Sequence, residues 1–230
     1  MNVEILQLIE GAKRAKGLTV VIDVFRAFSL EAYLFSMGAD RIIPVGDEAY
    51  ARGLKVRFPD AILAGERGGR ILPGFDTGNA PSKLSALEIN GRTVIHTTSA
   101  GTQGVANAKG ADEMLVCSLV NARATANYIA KSGAENVSLV CMGLEAKAPT
   151  EEDTLCARYI RSILLGTEID MPAEIEDLKR TSGAKFFDKA QTDVFPPEDF
   201  SMCTDLDRFS FVMKLGVDPD GLTVCRRYSV

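Results

Sequence analysis

The chain has 230 residues, 46% of them hydrophobic, and a formal net charge of −5. This length suits one large domain that buries roughly 70–75% of its unfolded surface. The pI of about 5.1 argues against nucleic acid or an anionic membrane as the main partner. No run approaches the ~18 apolar residues of a membrane span. The five cysteines form no Cys-x-x-Cys pair, which predicts free thiols in a reducing cytoplasm.

The first segment, "MNVEILQLIEGAKRAKG", carries Glu4 and Glu10 where a secretory signal needs an unbroken apolar stretch. Short β-branched runs then alternate with helical patterns up to about residue 165. The strands predicted from these runs are Thr19–Asp23, Arg41–Val45, Ala61–Ala64, Thr93–Thr97, Met114–Cys117 and Val137–Cys141. Apolar residues spaced at i, i+3, i+4 and i+7 predict a helix over Ser29–Met37. The alternation predicts an α/β fold with a mostly parallel, mixed sheet and helices on both faces.

The segment from about residue 166 to residue 230 has a different composition. It contains a Pro196-Pro197 break, a final strand-like "LTVCRRYSV" and six of the eleven phenylalanines: Phe186, Phe187, Phe195, Phe200, Phe209 and Phe211. We predict that it forms a C-terminal α+β appendage on the same core. Residues 1–230 would then make up a single domain.

Polar, glycine-rich motifs follow the predicted strands. They are "DVFRA" (23–27), "GERGG" (65–69), "GFDTGNAP" (74–81), "TTSAGT" (97–102), "SLVNA" (118–122) and "TEED" (150–153). Ligands of parallel α/β sheets bind outside the carboxyl ends of the strands. We therefore expect most of these loops to converge on one site.

The motif "TTSAGT" is the strongest candidate for an anion site. Thr98, Ser99 and Thr102 offer hydroxyl groups, Gly101 allows close backbone approach, and the following helix presents free N–H groups. The alternative is a helix N-cap followed by a tight turn.

Two arginines lie in these loops. A cation at a helix N-terminus is disfavoured by the helix dipole, so Arg26 needs an anionic ligand or Asp23 as its partner. Arg67 is flanked by glycines and suits bidentate contact with an oxyanion. The alternatives are a structural Asp23–Arg26 pair and a solvated Arg67.

Three acids lie at or just beyond predicted strand ends: Asp23, Glu66 and Asp76. Carboxylates that meet at one edge, together with waters and phosphate oxygens, suit Mg²⁺. Asp76 could instead be a turn residue, and Glu66 could pair with Arg67. In "TEED", capping of a helix by Thr150 and the acids after it is the preferred interpretation.

Other chemistries are less well supported. Cys117 and Arg123 have the spacing of a thiolate phosphatase loop, but no histidine precedes the cysteine and the loop contains no glycine. A serine hydrolase based on Ser99 would need a later histidine, whereas the single histidine, His96, precedes it. A non-catalytic module that binds an anionic metabolite stays open, although it would not need three acids at one edge.

Taken in order, "VIDVFRA", "AGERGG", "GFDTGNAP", "TTSAGT", "SLVNA", "CMG" and "TEED" resemble the motifs of the 2-phosphosulfolactate phosphatase family of coenzyme M biosynthesis. The resemblance extends from about Val20 to Arg158. It implies a three-layer α/β/α fold and Mg²⁺-dependent hydrolysis of a phosphorylated sulfolactate to sulfolactate and phosphate. The family's motifs coincide here with Asp23, Arg26, Gly65, Glu66, Arg67, Phe75, Asp76, Gly78, Asn79, Thr98, Ser99, Gly101, Thr102, Asn121, Glu152 and Asp153.

The predicted mechanism combines these observations. Asp23 and Glu66, with Asp76, would hold Mg²⁺, while Arg26 and Arg67 would clamp phosphate or sulfonate. Substrate-binding residues would be Asn79, Thr98, Ser99, Gly101, Thr102 and Asn121. The expected partner is a small anionic phosphorylated substrate and neither nucleic acid nor membrane, and the sequence is compatible with a homo-oligomer.

Overall fold

A computed structural model describes all 230 residues. The β-strands are β1 Asn2–Gln7, β2 Gly17–Ile22, β3 Arg41–Pro44, β4 Ile62–Arg67, β5 Arg70–Ile71, β6 Thr93–Thr97, β7 Ala111–Cys117, β8 Asn136–Cys141, β9 Phe211–Val217 and β10 Thr223–Ser229. The α-helices are α1 Leu8–Arg14, α2 Ala27–Ser36, α3 Glu48–Arg57, α4 Gly101–Asn107, α5 Ala122–Ser132, α6 Glu151–Leu165, α7 Met171–Leu178 and α8 Pro197–Cys203. Short 3₁₀ helices span Pro81–Ala86, Leu119–Asn121 and Ala184–Phe187.

Local sequence explains several of these boundaries. The Asp47 side chain accepts a hydrogen bond from the Tyr50 backbone and caps α3, which also carries Glu48 in its first turn and Lys55 and Arg57 in its last. Helix α6 ends where Gly166 adopts the left-handed conformation, with φ 67°. Strand β2 is an almost continuous buried run, as expected for a strand that pairs on both sides and is covered on both faces.

All ten strands form one sheet in the order β1-β8-β2-β7-β9-β10-β3-β6-β4-β5. Strands β1, β8, β2 and β7 are parallel to one another, as are β3, β6 and β4. The β9–β10 hairpin lies between these two parallel sets and pairs antiparallel with β7 and β3. This confirms the predicted α/β class with a mixed, mostly parallel sheet.

The C-terminal segment differs from the predicted appendage in its last strands. Strands β9 and β10 lie inside the sheet, where Val116 pairs with Met213 and Cys225 pairs with Ile42. Only the intervening helices and loops lie outside the sheet. The parallel sets each leave an edge at β7 and β3, and the hairpin pairs with both edges over short stretches, two residue pairs at β7 and one at β3. The N-terminal strand β1 was also not predicted, and it pairs with β8 at the outer edge.

Helices pack on both faces of the sheet over separate apolar cores. One core includes Ala12 of α1 and Phe28 and Phe35 of α2. The other includes Ile129 of α5, Ile160 of α6 and, from the C-terminal segment, buried phenylalanines. A smaller third core contains α3 residues beside β3 and β6. No helix combines the length and apolarity that crossing a membrane requires.

Candidate active site

A cleft of about 190 Å³ lies where the loops after β2, β6 and β8 meet the end of β4 and the C-terminal segment. Both parallel sets of strands therefore contribute to one site, as the sequence predicted for their loops. The predicted site residues that line the cleft are Asp23, Arg26, Glu66, Asn79, Thr98 and Ser99. Residues from the loop after β8, from α6 and from the C-terminal segment complete it, including Gly143, Glu145, Glu152, Lys185 and Phe195.

Asp23 follows β2 directly and is only 8% exposed. Burial raises the pKa of Asp23 to about 8, and the nearby carboxylates of Glu152 and Glu66 contribute to this rise. The backbone N–H of Gly101 and the positive charge of Lys185 act in the opposite direction. A carboxylate in this environment is costly to keep ionised unless a cation lies beside it.

Glu66 joins two of the predicted motifs. Its Oε2 accepts a hydrogen bond from the Gly69 backbone at 2.7 Å, and its Oε1 accepts from both the backbone N and the Oγ of Ser99 at 3.0 Å each. The carboxylate thus fixes the "TTSAGT" turn against the loop after β4. It makes no pair with Arg67, whose exposed guanidinium donates to the Glu66 carbonyl oxygen at 2.6 Å and to Thr97 Oγ1 at 3.3 Å.

The "TTSAGT" turn supplies fewer ligand-facing groups than its sequence predicted. Thr98 and Thr102 hydrogen-bond to each other through backbone and hydroxyl groups at 3.1–3.4 Å. Thr102 is 2% exposed and does not line the cleft. Gly101 does not line it either, but a Cβ there would lie 3.0 Å from Asp23 Oδ2. The glycine at position 101 therefore allows the backbone to lie close to Asp23, whereas the sequence predicted a close approach to a ligand.

Two predicted ligands belong to other parts of the fold. The carboxylate of Asp76 turns back to accept a hydrogen bond from the Leu63 backbone at 2.8 Å, lies 3.7 Å from Lys55 Nζ, and does not line the cleft. It is a turn residue, as the alternative interpretation proposed. Asn121 is fully buried, accepts from the Ser118 backbone at 3.1 Å and donates to the Phe211 carbonyl at 3.4 Å. Its amide caps a 3₁₀ helix and anchors β9, which leaves it no access to a substrate.

Arg26 lines the cleft, but its guanidinium is already bound. It donates to the carbonyl oxygens of Val194 at 2.7 Å and Gly69 at 3.2 Å, and it stacks on Phe195 with 4.7 Å to the ring centroid. Its Nη1 also lies 3.5 Å from Asp199 Oδ2. These contacts exclude a local Asp23–Arg26 pair and leave the guanidinium little capacity to clamp a substrate.

The loop geometry around Arg26 is unusual. Arg26 itself has φ 111°, a conformation that L-residues rarely adopt. At Gly69, with φ 79°, a Cβ would lie 2.8 Å from Arg26 Nη2. A glycine is therefore required for the arginine to reach the Gly69 carbonyl. Strain of this kind persists only where surrounding contacts determine the conformation.

The acidic pair at the start of α6 has a larger role than capping. Asp153 is buried and bridges two loops, since its Oδ1 accepts from the Val24 backbone at 2.7 Å and its Oδ2 from the Gly143 backbone at 2.8 Å. Burial, together with Glu152 and Asp23, raises the pKa of Asp153 well above its usual range. Glu152 lines the cleft, and its Oε2 is buried without a hydrogen-bond partner. The acidic run "TEED" was the only sequence signal for both.

The contribution of the C-terminal segment to the cleft was not predicted from the sequence. Lys185 and Phe195 both line the cleft. The Lys185 Nζ lies 5.4–5.5 Å from the ring centroids of Phe25, Phe186 and Phe195. A lysine beside paired phenylalanines in "AKFF" was the available signal, but nothing in the sequence places that run against Asp23.

The thiolate alternative does not fit the structure. Cys117 is fully buried and donates to the Ser118 carbonyl at 3.3 Å, while the Arg123 Nε donates to Asp207 Oδ2 at 2.9 Å. All five cysteines are free and buried, and burial raises the pKa of Cys203 to about 12. The single histidine, His96, is also buried, with its Nδ1 2.8 Å from Glu31 Oε1, and it does not line the cleft.

The oxygen atoms of the cleft fit a hard divalent cation. Glu152 Oε2 and Asn79 Oδ1 are buried acceptors without a hydrogen-bond partner, although the hydroxyl groups of Ser182 and Thr150 near Glu152 act to lower its pKa. The carboxylates of Asp23 and Glu66 line the same cleft. No three His, Cys, Asp or Glu side chains are placed to enclose a metal ion by themselves. A cation bound here would therefore need waters or substrate oxygens to complete its shell, as Mg²⁺ usually does when one or two carboxylates bind it.

The fold and cleft define an α/β protein with a carboxylate-rich site at the strand ends. The family model described as 2-phosphosulpholactate phosphatase matches residues 3–217, so the match includes most of the C-terminal segment. The chain is 36% identical over 214 residues to a protein of Bacillus subtilis (strain 168) named probable 2-phosphosulfolactate phosphatase, with 91% of each chain covered. A protein of the same name from Caldicellulosiruptor saccharolyticus is 35% identical over 212 residues, which cover 90% of this chain and 84% of the relative.

These similarities show that the chain belongs to the 2-phosphosulfolactate phosphatase family. The resemblance found in the motifs is confirmed, and so is the predicted enzyme class, a phosphatase that acts on a phosphate monoester.

Proposed function

We propose that this protein is a Mg²⁺-dependent phosphatase that hydrolyses 2-phosphosulfolactate to sulfolactate and phosphate, a reaction that the family resemblance assigns to coenzyme M biosynthesis. The names of its relatives support the substrate. The metal requirement is supported by one observation above all. Asp23, Glu66 and Glu152 line the same cleft, and no lysine or arginine forms a salt bridge with any of them.

The charge of the substrate makes this observation important. Phosphate, sulfonate and carboxylate groups on one small molecule would be repelled by an acidic cleft. Two positively charged side chains, Arg26 and Lys185, line the cleft, and the guanidinium of Arg26 is bound to backbone carbonyls. The carboxylates of the cleft could hold a divalent cation, which would supply the positive charge that an anionic substrate needs there.

We assign Asp23 and Glu152 as the carboxylates that would hold Mg²⁺, with Glu66 beside them. When bound, the ion would contact phosphoryl oxygens and offset the charge that develops on the departing oxygen. Glu152 replaces Asp76, the third metal ligand predicted from the sequence, because Glu152 Oε2 has no hydrogen-bond partner whereas the Asp76 carboxylate accepts from the Leu63 backbone.

The remaining residues would position the site. Glu66 holds the Ser99 N–H and hydroxyl in place, and Thr98 lines the cleft next to it. Asp153 holds the loops after β2 and β8 at a fixed separation through its two backbone hydrogen bonds. Fixed loops keep the groups around a reacting phosphoryl in the geometry that accelerates transfer.

The test is phosphate release from racemic 2-phosphosulfolactate, measured with Mg²⁺, with EDTA, and with the variants Asp23→Asn and Asp76→Asn. We expect wild-type activity with Mg²⁺ that EDTA abolishes and Asp23→Asn reduces by at least about a hundredfold, as for loss of a principal electrostatic group. Asp76→Asn is the matched control and should keep its activity, since an amide oxygen still accepts from Leu63. Release that is insensitive to EDTA would reject the metal requirement. Ligand binding without release would instead indicate a non-catalytic module.

The proposed location is the cytoplasm. All five cysteines are buried as free thiols, which supports a reducing compartment.

A further inference from the structure

Lys185 is held on an aromatic surface at the wall of the cleft. It belongs to the 3₁₀ helix Ala184–Phe187, and its Nζ lies 5.4–5.5 Å from the ring centroids of Phe25, Phe186 and Phe195. Those rings pack against one another, with centroids 4.9 Å apart for Phe25 and Phe186 and 5.8 Å apart for Phe186 and Phe195. Packing of this kind limits the freedom of the lysine stem and lowers the entropy that the ammonium group loses on binding a ligand.

The ammonium group of Lys185 has no protein partner. It forms no hydrogen bond and lies beyond 4.0 Å from every carboxylate, since no salt bridge includes it. Arg26, the other positively charged residue of the lining, has its guanidinium bound to the Val194 and Gly69 carbonyls. Of the two positively charged residues that line the cleft, Lys185 is therefore the one whose N–H donors remain available to an anion.

The charge of Lys185 faces the acidic side of the cleft. Lys185 lines the same cleft as the carboxylates of Asp23 and Glu152. The lysine thus shares the cleft with both carboxylates but lies too far from either to form a salt bridge.

We propose that Lys185 binds the phosphoryl group of the substrate directly, so that the C-terminal segment supplies a substrate-binding residue of the active site. The proposed function places the phosphoryl group of the substrate beside Asp23 and Glu152, which line the same cleft as Lys185. An ammonium group with three donors suits its oxygens as a compact point charge. The identity of the substrate and the place of its phosphoryl group rest on the proposed function, whereas binding of a phosphate anion by Lys185 is tested with inorganic phosphate alone.

The experiment compares four proteins, each with Mg²⁺ present: wild type, Lys185→Met, Lys185→Arg and Lys189→Met. The Lys185→Met substitution keeps an apolar side chain on the rings and removes the positive charge, whereas Lys185→Arg keeps the charge. Lys189 is exposed and makes no salt bridge or hydrogen bond, so Lys189→Met is the matched control for loss of one positive charge. Calorimetry gives the Kd for inorganic phosphate and, separately, for sulfolactate, and steady-state kinetics with 2-phosphosulfolactate give kcat and KM.

We expect Lys185→Met to weaken phosphate binding by at least about tenfold, the effect of losing one charged hydrogen bond. Sulfolactate, which has no phosphoryl group, should bind with unchanged affinity. The value of kcat/KM should fall by a similar factor, Lys185→Arg should restore part of the loss, and Lys189→Met should match wild type. If Lys185→Met changes the melting temperature, Lys185→Gln is measured in its place, because it removes the same positive charge.

Three results would overturn the inference: equal phosphate affinity in wild type and Lys185→Met, no phosphate binding by wild type, or a loss confined to sulfolactate. The last would place Lys185 at the sulfonate or carboxylate instead. Phosphate binding that depends on Lys185 in a protein that does not hydrolyse 2-phosphosulfolactate would support the inference and reject the proposed substrate.

Discussion

The guanidinium of Arg26 donates a 2.7 Å hydrogen bond to the carbonyl oxygen of Val194, 168 positions later in the chain. This contact connects the loop after β2 with the C-terminal segment at the edge of the cleft. The same guanidinium lies 3.5 Å from Asp199, and both side chains are almost completely buried. Arg26, which the sequence predicts to be an anion ligand, thus holds together two parts of the active site that are distant in the chain.

Replacing Arg26 by methionine should destabilise the protein by roughly 3–5 kcal/mol, because Asp199 would be left buried and uncompensated. Urea unfolding followed by circular dichroism measures the change. The matched control is Arg208→Met, which breaks an exposed pair with Asp205 and should cost at most about 1 kcal/mol.

A second substitution distinguishes the stability lost with the Arg26–Asp199 ion pair from the stability lost with the packing of the Arg26 side chain. Asp199→Asn in the Arg26→Met background should recover part of the stability, since the neutral amide is less costly to bury and can still accept from the Ser82 backbone. If Arg26→Met and Arg208→Met lower the free energy of unfolding by the same amount, the buried ion pair contributes no more to stability than an exposed one.

The stability of the metal-free protein should fall as the pH rises from about 4 to about 8. Burial raises the pKa of Asp23 in the folded protein to about 8, whereas an unfolded aspartate titrates near pH 3.9. Between these values the folded state binds more protons than the unfolded state, so increasing pH favours unfolding. Asp23→Asn removes this titration and should be more stable than wild type at pH 8.5.

Calorimetry in EDTA across this pH range tests the expectation. The melting temperature of Asp23→Asn should exceed that of wild type by at least about 2–4 °C at pH 8.5, the shift that 1 kcal/mol produces in a chain of this size. The difference should shrink toward pH 4, and the exposed control Glu4→Gln should show no such trend. A difference that is independent of pH would contradict the raised pKa.

Asp153→Asn should reduce both stability and activity. Both carboxylate oxygens accept backbone hydrogen bonds, from Val24 and Gly143, and an amide keeps just one acceptor. One buried N–H would face an NH₂ group, at a cost of roughly 1–3 kcal/mol, and the two loops would lose their fixed separation. Chemical denaturation and kcat measurements test this, with Glu151→Gln as the exposed control in the same helical turn. A variant with unchanged stability and lowered kcat would indicate a direct chemical role instead.

The thiols should be unreactive in the folded protein. All five cysteines are buried, and burial raises the pKa of Cys141, Cys156 and Cys225 well above the usual thiol value. A thiol reagent should modify none of them under native conditions and all five in guanidinium chloride. Cys117→Ala should retain phosphatase activity per folded molecule, and loss of activity with normal folding would revive the thiolate mechanism.

Much of the parallel sheet was predictable because its strands are short apolar runs bounded by polar loops. Thr93–Thr97 coincides with β6, and the strand predicted over Val137–Cys141 differs from β8 by one residue. Strand β1 was missed because an edge strand with exposed positions lacks a continuous apolar run. Strand β9 was missed because only its first three residues are buried, which is too short an apolar run to indicate a core strand.

The sequence by itself determined the family, the α/β class and the acid after β2, since each depends on residues that are neighbours in the chain. Tertiary structure decided the rest. The β9–β10 hairpin lies inside the sheet, and Lys185 of the C-terminal segment lines the cleft. Arg26 donates to the Val194 carbonyl, and Asp76 accepts from the Leu63 backbone. These outcomes depend on pairing between segments far apart in sequence, and a side chain's partner there is set by packing and burial rather than by local pattern.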